Sequence, residues 1–144
     1  MFVSIIGMIV ISCASIEANT LAKEKSFEYF GFSEEEMFKK MNDIVILILA
    51  EPNISASGLG DSGVKSSGSI ITSEYQSGGV DGLNIDIILI QLLLQVSENE
   101  IKVKITPTGT LRTMGISAKI DEGQVQIVND HIKKVISDIE TAIE

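Results

Sequence analysis

Apolar and polar positions are patterned most regularly across residues 83–106, LNIDIILIQLLLQV followed by EIKVKIT. The stretch reads as two β-strands folded back on each other around Ser97, Glu98, Asn99 and Glu100. With Glu98 and Asn99 as a two-residue loop, Val96 faces Ile101, Leu94 faces Val103 and Leu92 faces Ile105, while Gln95 faces Lys102 on the other side. One face of the hairpin is therefore wholly apolar and requires a cover. Within the first strand the apolar phase changes. Leu83, Ile85, Ile87 and Leu89 share one face, and Ile90, Leu92, Leu94 and Val96 share the other, so an irregularity is expected between Ile87 and Gln91.

Two helical patterns supply the cover. Ser33 followed by Glu36 is a capping box, and Glu34 and Glu35 add negative charge where the helix dipole favours it. Met37, Phe38, Met41, Ile44, Val45, Ile48 and Leu49 then recur at helical spacing, Ile46 and Leu47 widen the stripe towards all-round burial, and Pro52 ends the helix. The second helix spans residues 123–144 behind a cap at Asp121. Val125, Val128, Ile132, Val135, Ile136, Ile139 and Ile143 lie on its apolar stripe. At about 20 residues it is roughly 30 Å long, enough to cross a whole sheet.

The remaining elements are shorter. SFEYFGF predicts a first strand, residues 54–57 a second and SIITSEY a third, with GLGDSGVKSSG and SGGVDG as loops. The hairpin's return strand is expected to end at Thr106 and Pro107, with a turn at Thr108 and Gly109. Residues 110–120 then form a strand carrying Met114, Ile116, Ala118 and Ile120 on one face. This order predicts a two-layer α+β domain: one antiparallel sheet of four to six strands, two helices on one of its faces, and a long C-terminal helix.

Composition agrees with a single packed domain: 144 residues, 44% hydrophobic, with 2 prolines. A net charge of -9 with ten lysines and one arginine, Arg112, disfavours a nucleic-acid partner, which requires clustered cations. The single cysteine, Cys13, rules out an intramolecular disulfide, so stability rests on the core.

Cys13 closes the apolar run FVSIIGMIVIS. Eleven residues are too few to span a bilayer as a helix, which takes about 20, but they match the apolar core of a secretory signal. No Lys or Arg precedes the run. Val10-Ile11-Ser12-Cys13 resembles the lipobox of bacterial lipoproteins. That resemblance implies that the Cys13 thiol is lipidated, that the chain is cut before it, and that acyl chains hold the protein on a membrane. Residues 1–12 are then a signal-like segment, 13–24 a polar tether and 25–144 a single domain.

Chemistry-bearing motifs are few. Gly58, Gly60 and Gly63 match the dinucleotide-binding pattern, but Ser, Gly and β-branched residues follow instead of a helix, so no cofactor is expected. Gly60-Asp61-Ser62-Gly63 resembles the nucleophile turn of trypsin-like proteases, yet the only histidine, His131, lies in the closing helix. His131 reads as a boundary residue beside Asp130, Arg112 as a structural cation, and no metal site or catalytic residue is expected.

In element order, residues 27–143 are similar to small bacterial lipoprotein domains of uncharacterised function with a TATA-binding-protein-like sheet-and-helix fold. They also faintly resemble the helix-grip fold, in which a C-terminal helix closes a curved sheet over an apolar cavity. The first resemblance implies a non-enzymatic, lipid-anchored protein of the cell envelope that acts through protein contacts, on the periplasmic or outer side. The second implies a carrier whose apolar ligand would lie against residues 85–94.

Overall fold

The computed structural model describes residues 15–51, 54–56, 64–81, 84–112 and 115–144. Cys13, the apolar run before it and the glycine motif at residues 58–63 lie outside them. In chain order the elements are β1 (Ile16–Glu17), a 3-10 turn (Ala18–Leu21), β2 (Lys23–Glu28), α1 (Glu34–Leu49), β3 (Ile54–Ala56) and β4 (Val64–Ser67). They continue with β5 (Ile70–Asp81), β6 (Asn84–Ser97), β7 (Glu100–Arg112), β8 (Gly115–Ser117), β9 (Lys119–Ile120) and α2 (Glu122–Ile143).

The hairpin of β6 and β7 is the centre of the sheet, in the register its apolar pattern predicts. Val96 pairs with Ile101, Leu94 with Val103, Leu92 with Ile105 and Gln95 with Lys102. Asn99 takes a left-handed conformation at φ 62°, which asparagine tolerates, and closes the turn. Outward from this pair the order is β2-β7-β6-β5-β3, with β8 also on β7 and β4 also on β5. Each outer position is thus shared by two short strands lying end to end. A sheet five positions wide is built from seven segments, all paired antiparallel. A separate bridge joins β1 to β9.

Both helices cover the same face. α1 packs on α2, β5 and β6, and α2 packs over β7. Beneath them Leu92, Leu94, Val96, Ile101, Val103 and Ile105 are buried, and Met37, Met41, Val45, Val128, Ile132, Val135 and Ile139 descend from the helices. Ser33 Oγ accepts from the Glu36 amide and the Glu36 carboxylate from the Ser33 amide, which starts α1 where the sequence places it. At α2 the Gln124 side chain accepts from the Asp121 amide at 3.0 Å. The opposite sheet face, with Glu74, Gln91, Leu93, Gln95, Lys102 and Lys104, is open to solvent.

Several expectations are corrected. Of the segment expected to be a tether, residues 16–24 hold β1, the 3-10 turn and the start of β2. Ala18 is buried and its amide donates to the Ala118 carbonyl at 2.9 Å. These two-residue and one-turn contacts are non-local, so no periodicity announces them. Ile46 and Leu47 are 43% and 64% exposed, because successive helical positions rotate by about 100° and carry them off the stripe held by Val45 and Ile48. Residues 64–67, expected in a loop, pair with β5 through a tight turn at Gly68, whose φ of 61° suits glycine. Residues 77–81, expected in the next loop, continue β5.

The irregularity expected between Ile87 and Gln91 is present as a register shift between Leu89 and Ile90. Its extra residue lies on the partner strand: Leu89 pairs with Gly109 and Ile90 with Pro107, leaving Thr108 bulged, its hydroxyl donating to the Leu89 carbonyl at 3.3 Å. β6 itself keeps Ile88, Ile90, Leu92, Leu94 and Val96 inward throughout, with Ile87 and Leu89 half-buried on the other side. The bulge also lets β7 pass Pro107 to Arg112, so the described part of residues 110–120 holds the end of β7, β8 and β9 rather than one strand. Ile116 is accordingly 72% exposed while Ile120 is buried.

Candidate functional site

Polar groups converge in the interior where Tyr75, from β5 beneath α1, reaches α2. Tyr75 follows Ile71 and Ser73 on the inward face of β5, which takes its phenol towards α2. His131 stands one position before the buried Ile132, at the edge of the apolar stripe. Tyr75 Oη and His131 Nε2 are 2.7 Å apart, and the two rings are tilted by 60° with centroids 5.6 Å apart.

Burial, with the negative charge of Glu51 adding to it, holds the Tyr75 phenol protonated far above its ordinary range. Burial also pushes the His131 imidazole below its usual value. Glu51 pulls against that shift and Lys134 adds to it. Both groups are neutral at neutral pH. The assignment that uses the stronger donor has Tyr75 donating to Nε2, which leaves the ring proton on Nδ1.

Charged groups rim this pair. Just beyond the end of α1, Glu51 pairs with Lys134, one helical turn after His131. Lys134 also reaches Asp138 at 3.1 Å, and these two carboxylates raise its pKa. Lys134 is half exposed, so the triad is a surface clasp between the end of α1 and the middle of α2. Neutral Tyr75 and His131 satisfy each other beneath it. As arranged, the cluster presents no activated nucleophile.

A groove lies elsewhere, between β2 and α2. It measures about 590 Å³ and is lined by Lys23, Glu24 and Lys25 on one side and by residues of α2 from Gln126 to Glu140 on the other. Ile132 and Ile136 belong to its floor, with Asn129, Lys133 and Ser137 around them. A smaller hollow of about 270 Å³ on the open sheet face includes Lys65, Thr72, Glu74, Gln91 and Leu93. There Gln91 donates to the Glu74 carboxylate at 2.9 Å.

Of the residues singled out from sequence, Cys13 and the motif at residues 58–63 lie outside the described residues. His131 is the boundary residue expected, and its partner Tyr75 was missed. The available signal was phase: a tyrosine in step with Ile71 must bury its ring and satisfy its hydroxyl. Arg112 ends β7, its backbone paired with Gly115. Among the described residues no group of three or more His, Cys, Asp or Glu is placed to hold a metal, and no helix is long and apolar enough to cross a membrane. Of residues 85–94, against which a carried ligand was expected, Ile88, Ile90, Leu92 and Leu94 belong to the packed core at 0–2% exposure.

No protein-family model and no curated protein matches the chain. Solved structures do. A DUF4468 family protein from Bacteroides ovatus is 12% identical with a TM-score of 0.59, over 85% of each chain. A TBP-like protein from Parabacteroides distasonis is 8% identical with a TM-score of 0.57, over 85% of this chain and 91% of that one. At these identities the likeness is one of fold, and the chain has the TBP-like α+β fold expected from its element order.

Proposed function

We propose that this is a non-enzymatic, lipid-anchored protein of the bacterial cell envelope that acts through protein contacts. The observation that carries the reading is the apolar run of residues 2–12 ending at the only cysteine, with Val10-Ile11-Ser12-Cys13 resembling a lipobox. The fold adds a geometric consequence. β1 begins at Ile16, three residues after Cys13, and three extended residues span at most about 10 Å. An acyl anchor at Cys13 would therefore hold the end of the domain that carries β1 and β9 close to the lipid headgroups.

A role through contacts rather than an enclosed ligand is supported by the packed layer between sheet and helices, since a pocket of about 300 Å³ or more would be needed there for a carrier. Mass spectrometry of the membrane fraction from cells expressing the full chain, beside a Cys13→Ala variant, tests the anchor. A mature chain beginning at a modified Cys13, with the modification lost in the variant, is the expected result. A chain that keeps Met1 and an unmodified Cys13 would overturn it.

A further inference from the structure

We infer that the groove between β2 and α2 receives an acidic segment of a partner protein as an added β-strand. The inference deepens the protein-contact half of the proposed function and draws nothing from the anchor. β2 is an edge strand, bonded to β7 on one side and, among the described residues, to no strand on the other. Which backbone groups it offers follows from register. The Tyr29 amide donates to the Asn99 carbonyl, and Phe27 pairs with Ile101 and Lys25 with Val103 in the same register. Backbone direction alternates along a strand, so odd residues spend their N–H and C=O groups on β7. Glu24, Ser26 and Glu28 therefore point theirs at the open edge. Three consecutive residues, Lys23, Glu24 and Lys25, line the groove, which is what a wall made of strand backbone produces.

Charge selects the occupant. Lys23 and Lys25 stand opposite Ile105 and Val103, on the helix side of the sheet, and Lys133 faces them from α2. Neither Lys23 nor Lys133 has an ion-pair partner among the described residues, and Lys25 lies over the Phe27 ring at 5.0 Å. Glu24 and Glu140 also line the groove, but Glu24 stands opposite Lys104 and so faces the other side of the sheet, which leaves three lysines to one glutamate on the helix side, beside Ile132 and Ile136, in a chain of net charge -9. Lysines on an edge strand repel basic strands and disfavour neutral ones, which would leave the ammonium groups desolvated and unpaired. Alternate residues of an added strand face α2, so acidic side chains there meet Lys23, Lys25 and Lys133, while the residues between them face the other side of the sheet beside Glu24 and Glu28, where apolar side chains avoid the repulsion that further carboxylates would meet. A second copy of this chain fits worse: β2 paired with itself about Ser26 sets Glu24 against Glu28, and like charges placed opposite each other destabilise a sheet.

The test uses the full chain in neutral detergent and a fluorescent six-residue peptide of alternating aspartate and valine, read by anisotropy. The lysine–valine counterpart is the control. Saturable binding of the acidic peptide alone is expected, weakened at least tenfold by Ser26→Pro, which removes an edge-facing N–H that no internal bond uses. Lys23→Glu with Lys133→Glu should reverse the preference between the two peptides. If Ser26→Pro does not fold, N-methylation of alternate peptide residues makes the same cut from the partner's side. The inference is overturned by no saturable binding up to about 1 mM. It is equally overturned if neither Ser26→Pro nor N-methylation weakens binding, or if the chain instead dimerises through β2 and excludes the peptide. An unmodified Cys13 would leave all these readouts unchanged, so the two proposals fail separately.

Discussion

Tyr75→Phe removes one hydroxyl and leaves the buried ring in place. What is lost is the 2.7 Å bond to His131 Nε2. A neutral hydrogen bond of this kind contributes about 1 kcal/mol net, and leaving the half-buried imidazole nitrogen unpaired adds a fraction of its desolvation penalty, for a total of roughly 1.5 kcal/mol. Because the ring is 1% exposed and its volume hardly changes, no cavity term is added. For a domain of this size the loss corresponds to a Tm lower by roughly 5 °C. In urea unfolding it is a midpoint shift of about 0.8 M at an unchanged slope near 2 kcal/mol/M. Combining Tyr75→Phe with His131→Ala in a double-mutant cycle should give a coupling of about 1 kcal/mol. A single-mutant loss below about 0.3 kcal/mol, or additive double-mutant losses, would refute the reading of this pair as a mutually satisfied interior bond.

His131 also predicts a pH dependence. Its pKa is lower in the folded chain than in the unfolded one, so the unfolded state binds the proton more readily. The stability this group contributes is complete above the unfolded value of about 6.5 and is lost as pH falls from there towards the folded value. His131→Gln should flatten that part of the urea-midpoint profile relative to the parent, and parallel profiles would contradict the assignment. Gly109→Ala should destabilise by about 2 kcal/mol in urea unfolding, since its Cβ would run into the Ser117 backbone carbonyl. Retention of the parent midpoint would show that β7 and β8 are not held so closely. Ser33→Ala should lower stability by about 1 kcal/mol through loss of the α1 cap, and Ser33→Thr, which keeps the oxygen, should restore most of it.

Local rules carried most of the architecture. The apolar stripes of α1 and α2, the capping box of α1, the Asp121 cap of α2 and the Val96-to-Ile101 register were legible because each depends on residues a few positions apart, where periodicity and turn chemistry are written directly in the chain. Even the irregularity near Leu89 showed itself, as a conflict between two apolar phases on one strand. What only the tertiary structure decided were the non-local choices. That Thr108 rather than a β6 residue would absorb the extra length depended on the partner strand. That residues 16–24 would pair with β9 and β7 depended on edges formed about a hundred residues later. Tyr75 and His131 are 56 positions apart in sequence, and neither carries a motif. They meet because the sheet turns one inward and α2 lies across it, and burial then leaves each as the other's partner. The groove beside β2 has the same origin, since an edge exists only once the order of strands in the sheet is set.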